Sequence, residues 1–528
     1  MDAPLQLLPA LAPLFAAAAY LAFKKRSASQ VAKVPGPSPS SWVYGNMVEL
    51  DLAPTYGDYE FAWQREYGPV YRIKGAFGED RLVVSDPAAL QHIMNNRSFI
   101  RAIAQWKPGT LVFGQGSIFC AEEENHRRIR AALAPAFSVS VIRSFAPVFS
   151  EVAQRITRVW EQTTLSGPRL LNVCELIDRG TLDIISHTAL GSPLDTVTNP
   201  DHPLAHSHLE VLAAGFKRSK ATIIANFFIQ RTPLAVLQAA AYLPTGAFAV
   251  IRKFRDVTQE LGSRLIKEKV ESATEDSETD MLSILIRGLV GNRKKSISSE
   301  ELAEQLRVIL LGGQDTSAVE LSWMLYELAK DPELQDALRA EILEARAASD
   351  TPDYDAMPLL NALMKETLRL YPAGPYLERA ASDDLIIPLA EELTLTDGER
   401  VKQLNVAKGQ YIIIAVAAYN RLQSIWGPDA DVFRPSRWLE GNGNPSKGQA
   451  IGPYASLFTF SGGFRPCIGW RYSVLEMQIL LCEFLANFKF APNTKVDNVL
   501  RPMFCGTLVP IASDGQKRMP LVVERVAL

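Results

Sequence analysis

A single cysteine lies in a segment whose composition suits the binding of a flat cofactor. The segment reads Phe460-Ser-Gly-Gly-Phe-Arg-Pro-Cys-Ile-Gly469, with Arg465 two residues before Cys467. Glycines lack a Cβ and tolerate positive φ, so this backbone can approach a planar group closely. One thiolate can be the sole protein ligand of a haem iron, and the Arg465 guanidinium suits a haem carboxylate. The alternative is a glycine-rich turn that holds a buried cysteine.

An acid and a hydroxyl are adjacent in Gly312-Gly-Gln-Asp-Thr-Ser317. The capping-box pattern of residues 298–301 predicts a long helix around them that runs to about Lys330. Each internal glycine costs a helix about 1 kcal/mol relative to alanine, so the glycine pair predicts a close approach or a local distortion. Asp315 and Thr316 could supply protons for oxygen activation at a haem. The alternative is an exposed helix face with an isolated acid, but the apolar residues 308–311 argue against exposure.

Glu366 and Arg369 are three residues apart, so a helix would place them on one face. Most pairs of this kind are surface ion pairs worth less than about 1 kcal/mol. The apolar neighbours Leu368 and Leu370 favour a buried pair instead. A further arginine, Arg437, follows in the segment Phe-Arg-Pro-Ser-Arg-Trp.

Three other basic residues lie in predicted regular elements. His126 and Arg130 are one turn apart in a predicted helix and could share a face, and Arg379 lies in the predicted first strand after the Glu366 helix. The alternative for Arg379 is a surface arginine.

These segments resemble, in the same order, the motifs of cytochromes P450 of the microsomal type, and most closely those of fungal members. Residues 460–469 match F-x-x-G-x-R-x-C-x-G at every fixed position, and residues 312–317 match (A/G)-G-x-(D/E)-T-(T/S). The resemblance covers about residues 35–528. It agrees with the order of predicted elements, which indicates a mainly α fold with minor β-sheet, an α+β arrangement, in one large domain.

The resemblance implies that haem b is the cofactor. Its iron would be ligated by the Cys467 thiolate, in a loop that includes Phe460 and Gly463. The haem propionates would be bound by four basic side chains, namely Arg465, His126, Arg130 and Arg379. His126 stands where many family members have tryptophan.

The resemblance also implies two further groups of functional residues. Glu366, Arg369 and Arg437 would form a buried charged network that stabilises the core and retains the haem. Asp315 and Thr316 would manage proton delivery. Substrate contacts would come from the regions near 99–119, 220–250, the helix before Gly312, the stretch after Pro372 and the tail near 505–509.

The activity implied by the resemblance is monooxygenation. One atom of O₂ would enter a lipophilic substrate, because the substrate-contact regions are rich in apolar residues. Electrons would come from NADPH through a separate NADPH–cytochrome P450 reductase, with cytochrome b5 as a second candidate donor. Many fungal members act in secondary metabolism, for example on terpenoids. The alternatives are a peroxide isomerase or dehydratase that needs no reductase, and a haem-binding protein without catalysis.

The N-terminal residues predict a membrane anchor. Residues 3–23 carry no charge, and a helix of this length can span a bilayer. Lys24, Lys25 and Arg26 follow directly and form a basic flank. A cleaved signal peptide is the alternative, although its charge normally precedes the apolar run. We therefore expect an anchor with its basic flank over residues 1–26, a proline-rich hinge over 27–54 and a catalytic domain over 55–528. The expected location is the endoplasmic reticulum membrane, with the catalytic domain in the cytoplasm.

Composition excludes some other classes of protein. The chain has 528 residues, a formal net charge of −3 and a pI near 6.2, which argues against a nucleic-acid partner. Its five cysteines are odd in number and scattered, which is typical of a reducing compartment.

His202, His206 and His208 lie among Asn, Pro and Asp, so a solvated loop is expected there. The apolar run 234–250 could line the substrate pocket or lie in the bilayer surface.

Overall fold

The computed structural model describes residues 29–214, 218–271, 280–291, 298–440, 451–493 and 500–526. The predicted anchor over residues 1–26 lies outside them. Within the described ranges no single helix combines the length and hydropathy needed to cross a bilayer. One bent pair, Glu123–Phe137 with Val139–Thr163 at 43°, meets the criteria of length and composition.

Helices form most of the described chain between residues 87 and 370. The helices, numbered in chain order, are α1 Met47–Asp51, α2 Glu60–Tyr67, α3 Pro87–Asn95, α4 Ile103–Phe113, α5 Glu123–Leu133, α6 Val139–Ser144, α7 Ala146–Thr163, α8 Val173–Leu190, α9 Pro203–Ala214, α10 Lys220–Arg231, α11 Leu234–Ala240, α12 Gly246–Glu271, α13 Met281–Gly291, α14 Ser299–Lys330, α15 Pro332–Ala348, α16 Pro358–Leu370, α17 Val416–Tyr419, α18 Gln423–Trp426 and α19 Trp470–Asn487. Short 3-10 turns occur at Gln30–Lys33, Ala76–Gly78, Ala134–Phe137, Tyr354–Ala356 and Pro435–Trp438.

In the part of the chain that the structure describes, four small sheets account for the β structure. The largest has the order β1-β2-β8-β5-β3, and the others are β4-β12-β9, β6-β7 and β10-β11. The strands are β1 Val70–Lys74, β2 Asp80–Val84, β3 Phe99–Arg101, β4 Arg169–Asn172, β5 Tyr376–Ala381, β6 Leu385–Thr394, β7 Arg400–Val406, β8 Tyr411–Ala415, β9 Phe488–Pro492, β10 Arg501–Phe504, β11 Leu508–Ile511 and β12 Pro520–Arg525. The predicted mainly α fold with minor β-sheet is confirmed.

The long helix α14 is the central element of the helical region. Its predicted capping box is confirmed, because the Ser298 hydroxyl accepts from the Glu301 N–H (3.1 Å) while the Glu301 carboxylate accepts from the Ser298 N–H (2.9 Å). Residues on all faces of α14 are buried, and the helix packs along α8. A Cβ on Gly313 would lie 2.7 Å from the Ile185 side chain of α8, so this glycine permits the close approach that its position predicts.

Two local features agree with the residues that form them, and one expectation is wrong. The β-type runs on either side of residues 75–78 pair as the hairpin β1–β2, and the Asp86 carboxylate caps α3 by accepting from the Ala89 N–H (2.9 Å). The histidine segment is not a solvated loop, because it forms α9 and buries His208 completely. The reason is tertiary: the His208 ring lies 2.8 Å from the Gln314 amide oxygen of α14, a partner that the local sequence does not reveal.

The segment before residue 55 packs against the main sheet from Val31 onwards. Val31 and Val34 are fully buried, and a Cβ on Gly36 would collide with the carbonyl oxygen of Arg72 in β1. The part of the predicted hinge that the structure describes is therefore in contact with the body. The hinge role itself stays a prediction.

Candidate haem site

The loop before α19 presents Cys467 to open space. Of the five cysteines, Cys467 is exposed and the other four are buried. The Cys467 N–H donates to the Phe460 carbonyl (2.8 Å), which closes the loop and holds the sulfur in place. Gly463 has φ +63°, and a Cβ there would collide with the carbonyl oxygen of Met94. Glycine is therefore required at this position, as the motif predicts.

The environment of the Cys467 sulfur suits a metal-bound thiolate. Although the side chain is exposed, protein atoms surround the sulfur closely enough that burial raises the pKa of the thiol. The Gly469 N–H and the nearby Arg130 guanidinium favour the thiolate but do not outweigh burial. A cysteine ligated by a metal ion is deprotonated by the charge of the ion. The site therefore provides a ligand that becomes ionised when the metal binds.

Helix α14 also faces open space at Gly312. A Cβ on Gly312 would meet no atom within 4 Å, in contrast to Gly313 one residue later. The half-buried Thr316 lies one turn further on the same face, and its hydroxyl donates to the Gly312 carbonyl (2.8 Å). This face of the helix therefore has room for a ligand beside a hydroxyl group.

Asp315 points away from the Thr316 hydroxyl. Its carboxylate is buried and accepts from the Thr507 hydroxyl and from Lys517 Nζ (3.2 Å). Consecutive helix residues point about 100° apart, so adjacency in sequence does not bring their side chains together. The two members of the predicted proton-delivery pair thus have different partners in this structure.

Four arginines converge next to His126. This arginine cluster consists of Arg101, Arg130, Arg379 and Arg465. All but Arg101 line, with His126, one cavity of about 740 Å³. Arg101 and Arg379 are cross-strand partners on β3 and β5, which brings their charges together. Arg101 is the residue that sequence reasoning missed, because its register opposite Arg379 is visible only once the strands pair.

The arginine cluster carries more positive charge than its protein neighbours neutralise. Burial, with the Arg101 and Arg465 charges adding to it, lowers the pKa of Arg379 to about 9. Burial and the surrounding arginines lower the pKa of His126 to about 3. The acid that opposes these charges is Glu122, whose carboxylate pairs with Arg465 (2.6 Å).

The arginine cluster fits the two carboxylates of haem. The Arg101 Nε is buried without a hydrogen-bond partner, and Arg379 donates to the Glu378 carbonyl (3.0 Å) rather than to an acid. A buried cation is stable only when it is paired, and guanidinium groups match carboxylates in shape and charge. A ligand with two carboxylates would relieve the repulsion that the protein alone leaves.

We predict that Arg379→Leu weakens haem binding but does not destabilise the apoprotein. In the apoprotein the charge of Arg379 is disfavoured, since its pKa is lowered to about 9, so its removal is expected to raise the midpoint of thermal unfolding. In the haem-loaded protein the same change removes a propionate partner, and haem transfer to apomyoglobin should accelerate at least about tenfold. The exposed Arg400 on β7 offers a matched control, for which Arg400→Leu should change neither value. Slower or unchanged haem transfer in Arg379→Leu would contradict the assignment.

Glu366, Arg369 and Arg437 form one buried network. Arg369 Nε and Nη2 donate to the two Glu366 carboxylate oxygens at 2.9 and 2.8 Å, and Arg437 Nε donates to Glu366 Oε1 at 2.9 Å. The Trp438 ring N–H and the Arg434 backbone N–H complete the shell of the carboxylate. Glu366 and Arg369 are fully buried. Burial opposes ionisation of Glu366, but its partners, led by Arg369, hold its pKa below the ordinary range.

The chain belongs to the cytochrome P450 family, whose sequence profile matches residues 35–514. Three relatives are named cytochrome P450 monooxygenases. Cytochrome P450 monooxygenase 91 of Postia placenta is 28% identical, with 94% of each chain covered. The eriI protein of Hericium erinaceus is 30% identical, with 96% of each chain covered, and the claU protein of Ampulloclitocybe clavipes is 30% identical over 95% of this chain and 94% of its own. This chain is therefore an oxidoreductase of the haem monooxygenase class, similar to fungal members, and the family implies a haem with a cysteine thiolate ligand.

Proposed function

We propose that this protein is a membrane-bound monooxygenase that inserts one oxygen atom of O₂ into a lipophilic small molecule. The two electrons would come from NADPH through a separate NADPH–cytochrome P450 reductase. A thiolate-ligated haem supplies the oxygen activation, because the thiolate favours cleavage of the O–O bond. The observation that carries the proposal is the exposure of Cys467 alone among the cysteines, in a loop closed on Phe460 and Gly463.

Different residues would bind different parts of the cofactor. Cys467 would ligate the iron, and the narrow turn at Gly463 would hold its loop against the macrocycle. The arginine cluster and His126 would bind the two propionates, where His126 acts as a neutral N–H donor because its pKa is lowered to about 3. The Glu366 network would keep this part of the core folded around the haem.

Proton delivery would depend on α14. The Thr316 hydroxyl lies beside the open space at Gly312, so it can hold a proton at Oγ1 and pass it to a ligand there. The Asp315 carboxylate would act as the next proton donor on the same helix. To do so it must leave its present partners, Thr507 and Lys517.

We predict that Thr316→Ala keeps haem but diverts electrons to hydrogen peroxide. Loss of one group that positions a proton typically costs about 10²-fold or more, so peroxide should become the main product of NADPH oxidation. The measurement is the ratio of peroxide formed to NADPH consumed in the presence of reductase. Thr316→Ser, which keeps the hydroxyl, is the matched control and should resemble the wild type. Fully coupled product formation in Thr316→Ala would rule out this role.

The substrate and the membrane would meet at α10 and α11. Phe228, Val236, Tyr242 and Leu243, in these helices or directly after them, are each more than half exposed. Exposed apolar groups suit insertion into the outer part of a bilayer. A lipophilic substrate could then enter from the membrane of the endoplasmic reticulum, with the predicted anchor over residues 1–26 holding the protein there.

The substrate class that we propose is a fungal secondary metabolite, with terpenoids as the first candidates. The support is the resemblance to fungal members of the family, many of which act in secondary metabolism, together with the apolar substrate-contact regions. A test is incubation of membranes that contain the protein and reductase with NADPH, ¹⁸O₂ and a panel of terpenes. Product that carries one ¹⁸O atom and depends on NADPH would support monooxygenation. Conversion of hydroperoxides without NADPH would favour the isomerase alternative, and haem binding without any product would favour a non-catalytic protein.

A further inference from the structure

Asp315 belongs to a buried network that ties α14 to α8 and to the C-terminal tail. Lys517 of the tail lies 3.2 Å from Asp315 Oδ1 and 2.9 Å from Asp178 Oδ1 of α8. The Thr507 hydroxyl donates to the other oxygen of Asp315. The side chains of Asp315, Asp178 and Lys517 are 8, 14 and 16% exposed. Both oxygens of Asp315 are therefore held by tail residues.

Lys517 has two carboxylate partners, which lowers the cost of losing one. Burial opposes its charge, but Asp178 and Asp315 together raise the pKa of the ammonium group above its ordinary value. If Asp315 swings away, Lys517 keeps its pair with Asp178. The large loss of stability that follows when a buried charge is left unpaired is thereby avoided. Asp178 is itself fixed, since its backbone carbonyl accepts from the Gln314 amide (3.2 Å).

Thr507 connects Asp315 to the hairpin β10–β11, of which it forms the tip. The next residue, Leu508, donates to the Ala373 carbonyl (3.0 Å), and its own carbonyl accepts from the Trp323 ring N–H of α14 (2.8 Å). The tip therefore contacts α14 at both Asp315 and Trp323. The regions after Pro372 and near 505–509 are those that the family resemblance assigns to substrate contact. A ligand that displaces this tip would move the group that holds Asp315.

We propose that Lys517 and Thr507 form a latch that holds the Asp315 carboxylate away from Thr316, and that Asp178 retains Lys517 when the latch opens. This proposal rests on the proposed function, because it assigns positioning residues to the same proton delivery. Displacement of the hairpin tip by substrate would free Asp315 and allow protons to reach the site only when there is something to oxidise. Asp178, Lys517 and Thr507 are positioning residues, since each acts through Asp315.

The test measures how electrons are used without substrate, in holoenzyme with reductase and NADPH. When protons are delivered, O₂, two NADPH and two H⁺ give two water molecules; otherwise O₂, one NADPH and one H⁺ give hydrogen peroxide. The quantity measured is the share of water, defined as the fraction of the consumed O₂ that is reduced to water rather than to hydrogen peroxide. Lys517→Met and Thr507→Val open the latch and are expected to increase this share at least about threefold. Asp178→Asn leaves Asp315 as the sole carboxylate partner of Lys517 and is expected to decrease the share of water. Lys517→Arg should resemble the wild type, as should Lys489→Met, in which the lysine is an exposed residue of β9.

A second measurement does not depend on turnover. Hydrogen exchange of residues 501–511 should accelerate severalfold in Thr507→Val and Lys517→Met, whereas Asp178→Asn should leave it unchanged. Equal effects of Lys517→Met and Asp178→Asn on the share of water, or no effect of either, would overturn the latch. The proposed function fails separately, if wild-type protein with bound haem neither accepts electrons from the reductase nor oxidises any substrate. If Thr507→Val or Lys517→Met loses its haem spectrum, the conservative variant Thr507→Ser or Lys517→Arg is measured in its place. The share of water in that conservative variant must then equal that of the wild type.

Discussion

Replacement of Glu366 by alanine is expected to prevent the accumulation of folded, haem-containing protein. Arg369 and Arg437 would both lose their carboxylate partner inside the core, where Arg369 has no exposure to solvent. Removal of one member of a buried charged network costs about 3–5 kcal/mol, a large part of the stability of a typical domain. The measurement is the yield of haem per mole of purified protein together with the urea concentration at half-unfolding.

The control for Glu366→Ala is Glu440→Ala in the same region of the chain. Glu440 pairs with Arg434 at 2.8 Å, but both side chains are well exposed, so the expected loss is under about 1 kcal/mol. The network also predicts acid sensitivity. Because the pKa of Glu366 is lowered in the folded state, its contribution is complete above its unfolded pKa near 4.3 and is lost as the pH falls through the lower folded value. Similar losses in the two variants would show that the Glu366 network has no special role.

Cys467→Ser is expected to abolish NADPH-dependent oxidation and thiolate ligation. Serine keeps the shape of the loop, since the Cys467 N–H bond to Phe460 involves only the backbone. The hydroxyl cannot provide the soft, electron-donating sulfur that a haem thiolate site requires. Electron paramagnetic resonance of the oxidised protein reports the ligand atom, and it should show no sulfur ligand in this variant.

Cys120→Ser is the matched control for the Cys467 variant. The Cys120 thiol is buried, lies 3.6 Å from the Trp106 carbonyl and faces away from solvent, and a hydroxyl can make the same contact. This variant should therefore keep the resonance spectrum of the wild type. A sulfur-type spectrum that persists in Cys467→Ser and disappears in Cys120→Ser would move the ligand to the other cysteine.

Local sequence patterns predicted the elements that local chemistry determines. The Ser298 capping box and the Asp86 cap of α3 depend on residues within a few positions of each other, whereas Gly463 is required by its contact with Met94 in a distant segment. Residues 471–487 predict an amphipathic helix, and α19 begins one residue before that segment. The amphipathic interpretation is wrong, since residues on all faces of α19 are buried. That burial depends on the packing of α7 and α15 against it, which no local pattern records.

The features that sequence reasoning missed all depend on contacts between distant segments. Arg101 joins the arginine cluster only because β3 pairs with β5. The Asp315 carboxylate turns towards Lys517, about 200 residues later, rather than towards its neighbour Thr316. His208 is buried because α9 packs over Gln314. Motifs identified the candidate residues, but the direction of each side chain required the tertiary structure.

The most direct test of the central claim is the difference spectrum of the dithionite-reduced, CO-bound wild-type protein. If Cys467 ligates haem through its thiolate, the Soret band must be strongly red-shifted relative to that of histidine-ligated haem proteins. We expect that band in protein purified with haem bound. A folded, haem-loaded protein without the shifted band would show that the iron has another ligand and would contradict the proposed monooxygenase chemistry.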